Sequence, residues 1–320
     1  MEVCGTHTQA ISRFGIRKLL PENVRLLSGP GCPVCVTAQE DIDAVIHLAK
    51  NGIPIATYGD MLRVPGYEGN LENAKAQGAS VFSIYSVEEV IALQKKYPQI
   101  IFFGMGFDTT APMTAYLLSQ NIPVYSTHKL FLPAMDALLA MGELNIDGFI
   151  SPGHVSTIVG TEPYLHMDVA QVITGFTSED ILVGIYMLLQ QIANGKRDVE
   201  NEYVRSVREK GNPIAQHMIQ QYFSISDGIW RGFGVIKNSG LEVRNDKLNA
   251  KAIHADLLKK IDPAVFKKKN ACRCGEVIRG LINPKQCPMF GKVCTPEKPF
   301  GPCMVSSEGV CNAAYRYDDC

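Results

Sequence analysis

The sequence predicts an α/β protein built on mostly parallel sheets, and three observations predict it. From Val24 to about Val235, short apolar runs rich in β-branched residues alternate with amphipathic segments, the pattern of successive βα units. Polar Gly-rich loops follow directly on those runs, where ligands bind in an open parallel sheet. The ten cysteines crowd the chain ends: three lie within the first 35 residues and seven within the last 49, with none between. The architecture expected is two small Rossmann-like α/β domains with parallel sheets facing a cleft, plus a Cys-rich domain.

The expected strands are Val24–Leu27, Ile53–Tyr58, Val81–Tyr85, Ile100–Phe103, Val124–Tyr125, Gly148–Ile150 and Val169–Ile173, each a short apolar run. Helical periodicity with stop signals runs over Gln9–Leu20, begun by Thr8 and ended by Pro21. It recurs at Ala38–Lys50 before Asn51-Gly52, at Val87–Lys96 before Pro98, and at Ser178–Ala193 before Asn194-Gly195. Asn121-Ile-Pro123 divides the α/β region into halves of similar size, giving domains over 21–120 and 121–235. A polar helical segment, Val199–Tyr222, and a Lys/Asn-rich passage, Lys237–Lys269, lead into a Gly/Pro/Cys-rich tail. Residues 1–20 and 236–320 form the third domain in this reading.

A length of 320 residues and 46% hydrophobic content suffice for two or three domains with real cores. Lys+Arg 31 against Asp+Glu 32 leaves a net charge of −1, which gives no field steering the chain to nucleic acid or an anionic membrane. The N-terminus lacks the basic and apolar regions of a secretory signal. The longest aliphatic stretch, Ile181–Leu189, is about half of a membrane span and reads as a buried helix. A cytoplasmic protein, monomeric alone, is expected, and there the cysteines serve metal or redox chemistry rather than a disulfide scaffold.

In the tail, Cys274, Cys287, Cys294 and Cys311 stand as C-x12-C-x6-C-x16-C. Four thiolates suit a [4Fe–4S] cluster or a tetrahedral zinc ion, with unligated or paired thiols as the third reading, and the absence of paired C-x2-4-C knuckles favours the cluster. Cys272, Cys303 and Cys320 are left unassigned. Lys267 to Lys298 holds eight basic and two acidic residues, which would offset a negatively charged cluster or simply form a solvated face. Phe290 is the only aromatic there, so no stacking platform for nucleic acid is present.

Cys32-Pro-Val-Cys35 is a C-x-x-C in a Gly/Pro loop after an expected strand, suited to thiol–disulfide exchange; half of a metal site is the other use. Cys4 precedes an expected helix, whose dipole favours thiolate, and His7 offers a second ligand or a proton carrier. Gly106-Phe-Asp108-Thr-Thr110-Ala-Pro112 reads as a strand-to-helix turn in which Asp108 holds a polar ligand or only caps the helix. His154 stands on the Pro152-Gly153 loop, better placed for proton transfer than the helix-borne His47 or His217; His128 and Lys129 are weaker candidates.

Taken in order, Cys4-Gly-Thr-His-Thr, Gly29-Pro-Gly-Cys32-Pro-Val-Cys35, Gly106-Phe-Asp-Thr-Thr-Ala-Pro112, Pro152-Gly-His-Val-Ser156, Thr174-Gly-Phe176 and the tail quartet resemble the HypD family of [NiFe]-hydrogenase maturation factors across essentially the whole chain. The resemblance implies two α/β domains around a cleft and a [4Fe–4S] domain held by Cys274, Cys287, Cys294 and Cys311. It implies a complex with a small HypC-like chaperone, in which a transient iron is held at Cys4. Cyanide would come from a HypE-like donor, so that an Fe(CN)2CO moiety is built on the pair. Family members usually carry some tens of residues before the Cys-Gly-Thr-His motif; Asp108 stands for the usual Glu, and Thr177 where a Glu is expected. The function expected is a redox-active assembly scaffold rather than a conventional enzyme. The rivals are a stand-alone [4Fe–4S] thiol–disulfide reductase and a zinc-stabilised binding module.

Overall fold

A computed structural model describes residues 1–262 and 271–318; Cys320 and the Lys267–Lys269 run lie outside them. Among the described residues the strands are β1 (Ile55–Tyr58), β2 (Val81–Ile84), β3 (Ile101–Gly104), β4 (Val124–Ser126), β5 (Gly148–Pro152), β6 (Ala170–Thr174), β7 (Val199–Asn201), β8 (Phe223–Trp230) and β9 (Gly234–Val243). The chain divides into two compact units: residues 37–130 with 215–271, and residues 1–36, 131–214 and 272–320.

The first of these holds a parallel sheet in the order β2-β1-β3-β4. Its strands are short apolar runs because a parallel sheet is covered on both faces. Phe102, Val124, Ala56 and Ile84 pack there against Val90, Leu117 and Leu118 of the flanking helices. The antiparallel hairpin β8-β9 closes the same core with Phe223, Leu241 and Val243. This hairpin corrects the expectation of helix and polar passage on either side of residue 223. In β8 burial alternates residue by residue, and Arg231–Phe233 form the turn. The helix of that region is confined to Pro213–Tyr222.

The second unit holds the parallel sheet β5-β6-β7. Ile150, Ala170 and Val172 pack on Ala10 and Ile11 of the Gly5–Arg13 helix and on Ile181, Ile185 and Leu188 of the Ser178–Ala193 helix. That last helix is only half buried: Leu182, Val183 and Tyr186 face outward, contrary to its reading as a buried helix. Among the described residues no helix is long and apolar enough to cross a membrane.

The structure divides the chain elsewhere than Asn121. Asn121-Ile-Pro123 is the turn from the Ala111–Ser119 helix into β4, and β4 pairs with β3, so the first sheet runs on past that point. Val24–Leu27 is not a regular strand: pairing is confined to a parallel bridge between Ser28 and Glu2. Glu2 in turn bridges Ile150 in parallel. The N-terminal residues therefore lie between the Ser28 segment and β5, as an inner parallel segment of the second unit.

Candidate functional site

Hydrogen bonds fix that inner segment: Glu2 N–H donates to Leu27 O at 2.8 Å, Gly29 N–H to Glu2 O at 2.8 Å, and Val3 N–H to Ile150 O at 3.3 Å. Five parallel stretches consequently deliver their carboxyl ends within one unit, ahead of Cys4, Cys32, His154, Phe176 and Tyr203. In a parallel sheet these ends are where loops and helix N-termini meet.

Cys4 caps the Gly5–Arg13 helix, which begins four residues before the expected start at Gln9. Thr8 lies inside the helix because its hydroxyl is drawn to Glu2 Oε1 at 2.7 Å. The Cys4 thiol is 8% exposed. Burial, and next the Glu308 carboxylate, push it up to about 12, against the backbone N–H groups of His7 and Thr6. The helix start does favour thiolate, as its position suggested, but burial outweighs it, and at neutral pH Cys4 is a thiol. A metal ion binding there must displace the proton.

His7 is completely buried. Its Nε2 lies 2.8 Å from Gly175 O and 2.9 Å from Thr174 Oγ1. A carbonyl only accepts, so the geometry assigns the proton to Nε2, which donates to it. Nδ1 is then a buried lone pair without a hydrogen-bond partner among the described residues. Burial lowers the imidazole to about 4, so His7 is neutral. Phe176 stacks on His7 at 4.8 Å and on His154 at 3.8 Å. Two rings that close on a third must take opposite faces, so Phe176 is sandwiched between the histidines. His154 keeps solvent contact, and burial lowers its pKa as well.

The loop that carries Phe176 is held by acids. Gly175 N–H donates to Glu202 Oε2 at 2.9 Å and Phe176 N–H to Asp180 Oδ2 at 3.0 Å, while Arg205 pairs with Asp180. Thr177, where Glu was expected, completes a capping box with Asp180. The functional side chain at that position is a helix cap.

Cys32 and Cys35 form a disulfide with their Cα atoms 5.3 Å apart, both buried. Gly31 just before it accepts from Gly5 N–H at 2.9 Å, and a Cβ on Gly31 would run into the Cys4 backbone. Cys4 and the disulfide loop are thus in contact. On the far side, the Pro33–Val36 helix packs against the Pro302–Val305 helix, which bears Cys303.

Cys303 Sγ lies 3.5 Å from Cys274 Sγ. Cys272, Cys274, Cys287, Cys294, Cys303 and Cys311 line one pocket, closed by Phe290 and Phe300. Hydrogen bonding to Cys274 raises the Cys303 and Cys272 thiols, and burial raises Cys294. Phe300 N–H donates to Cys294 Sγ at 3.3 Å, a contact of the kind that tunes a cluster sulfur. Among the described residues no three Cys, His, Asp or Glu converge as a site for one metal ion. Six thiols around a shared pocket offer the four sulfur ligands that a [4Fe–4S] cluster takes.

Cys4, His7, Cys32, Cys35, His154 and the tail quartet therefore fall in one compact unit. Asp108 belongs to the other. It is 3% exposed, in a turn where Gly106 takes φ +149° and leaves no room for a Cβ beside Thr110. Next to it Phe107 stacks on Trp230 at 5.8 Å. His128 is buried between Thr114 and Ser126, and Lys129 donates to Ile229 O at 2.8 Å, so both are structural there. Sequence reasoning left Cys303 unassigned and missed Glu2 and Glu308. The signal for Cys303 was its place among the tail cysteines; for Glu2, an acid inside an apolar segment; for Glu308 there was none.

Residues 1–318 match the family model HypD, described as the hydrogenase formation hypA family. Relatives named hydrogenase maturation factor HypD include one from Escherichia coli, 41% identical, covering 99% of this chain and 88% of its own length. Another, from Cupriavidus necator, is 40% identical, covering 99% and 89%. The hydrogenase expression/formation protein HupD of Azotobacter chroococcum is 40% identical, covering 99% and 88%.

Proposed function

The chain belongs to the HypD family of hydrogenase maturation factors, and from that premise we propose that it is a cytoplasmic, redox-active scaffold on which the Fe(CN)2CO moiety of a [NiFe] site is assembled. Cys4 holds the iron, which is cargo. A small HypC-like chaperone supplies the facing thiolate, and a HypE-like protein delivers cyanide. The observation that carries this reading is the continuous run of sulfur within one unit: Cys4 against Gly31, the Cys32–Cys35 disulfide beside it, and the helix of Cys35 packed on that of Cys303.

Bound in the tail pocket, a [4Fe–4S] cluster would relay electrons one at a time from an external one-electron donor. Two electrons and two protons convert the Cys32–Cys35 disulfide into two thiols. Neutral His7 keeps a buried Nδ1 lone pair on the helix that Cys4 begins, and His154 meets solvent, where it exchanges protons.

Six thiols line a pocket in which a cluster takes four. The quartet read from spacing uses Cys274. The 3.5 Å approach of Cys274 and Cys303 favours a second assignment: those two form a dithiol between the cluster and Cys35, leaving Cys272, Cys287, Cys294 and Cys311 as ligands.

Anaerobic purification should give a brown protein with about four iron per chain. Cys4→Ala should keep that colour, lose co-purification of the small partner and abolish hydrogenase maturation; maturation by this variant sinks the iron-ligand role and leaves the reductase reading. In the same series, Cys303→Ser should keep all of the iron, and full iron in Cys274→Ser would select the second ligand set.

A further inference from the structure

Glu2 takes no part in the chemistry above, yet it is completely buried amid the parallel segments of the thiol-bearing unit. An acid at that depth destabilises the fold unless its oxygens are met by donors. They are met. Oε1 accepts from the Thr8 hydroxyl at 2.7 Å, Oε2 accepts from Cys4 N–H at 3.1 Å, and the Ser28 hydroxyl donates to the same carboxylate. Behind Ser28 stands Arg17, which donates to Ser28 Oγ at 2.7 Å and to Ser12 Oγ at 3.1 Å.

These contacts reach two separate elements. Thr8 belongs to the Gly5–Arg13 helix, Ser28 to the segment leading into the Cys32 loop, and the Glu2 backbone is bonded to Leu27 and Gly29. Cys4 is the joint where they meet. An aliphatic residue at position 2 would fill the space at lower cost, so the carboxylate's distinct contribution is geometric.

Resting on the reading of Cys4 as the reacting thiol, we propose that Glu2 is its positioning residue: the carboxylate ties the Cys4 backbone, the helix start and the Ser28 segment into one rigid mount that fixes where the thiol points. Glu2→Gln tests this, because the amide keeps the volume but offers one accepting oxygen where the carboxylate offers two, and its NH2 faces a donor. The experiment uses the full chain, purified anaerobically with its cluster, and measures the iodoacetamide alkylation rate of each thiol by peptide mass spectrometry. A separate iron titration runs alongside.

Loss of one buried hydrogen bond should raise alkylation of Cys4 about tenfold. Cys303, buried in the tail and outside both ligand sets, should react at the parental rate. Iron capture by Cys4 should weaken in parallel, with the cluster absorbance unchanged. A Cys4 rate within about twofold of the parent, or a rise shared by Cys303, overturns the proposal, since the first leaves the mount intact and the second is general loosening. Thr8→Val removes only the donor to Oε1 and is read by the same criteria if Glu2→Gln does not fold. If even the parent takes up no iron at Cys4 while the Cys4-selective rise is seen, the iron reading falls and the positioning role stands.

Discussion

His7 and His128 are both fully buried, held as neutral imidazoles at about 4 and about 3 by burial above all. An unfolded histidine titrates near 6.5, so between that pH and the folded values the unfolded chain binds protons that the folded chain refuses. Stability present above pH 6.5 is therefore lost as pH falls toward 4, by on the order of 3 kcal/mol for His7 alone. Urea midpoints measured from pH 7 down to 4.5 should fall steeply, and His7→Gln should flatten the slope; an unchanged slope would mean that His7 is protonated in the folded protein. Cys4 shows the same force acting on a thiol. Its place at a helix start was visible in the sequence and points to thiolate, but the sequence does not contain the burial that reverses the direction.

At the scale of elements, the close approach of two loops decides what the thiols can do. Gly31 touches the Cys4 backbone where a Cβ would overlap it, so Gly31→Ala must push the two loops apart. That overpacking should lower the unfolding free energy by about 1–3 kcal/mol. Thermal unfolding should show it, and a parental melting temperature would mean that the loops yield without strain. The strands β1 to β6 and the helices Gln39–Lys50, Val87–Lys96 and Ser178–Ala193 were legible because short apolar runs and a 3.6-residue period are local signals. The hairpin β8-β9 was not, since Lys237 and Asn238 lie on its exposed face and mask the alternation beneath. The pairing of Glu2 with both Ser28 and Ile150 is a contact between distant residues, which no local pattern encodes.

For the whole molecule, the tail between Cys287 and Phe300 has little regular structure and is organised around its thiol pocket. If a cluster fills that pocket, its ligand bonds replace an apolar core, and removing the iron should free amide exchange across residues 287–301 while the β2-β1-β3-β4 sheet keeps its protection. Hydrogen exchange before and after anaerobic iron removal reads this, and equal protection in both states would show that the tail is held by its own packing. Family, fold class and the two parallel sheets were already determined by the sequence, because motifs and periodicity are written residue by residue. Only the tertiary structure decided that Cys4, the Cys32–Cys35 loop, His154, Phe176 and the tail thiols share one unit, that Cys303 stands against Cys274, and that Cys4 is a protonated thiol. Each of those depends on which distant segments exclude water from one another, and that is a property of the packed chain.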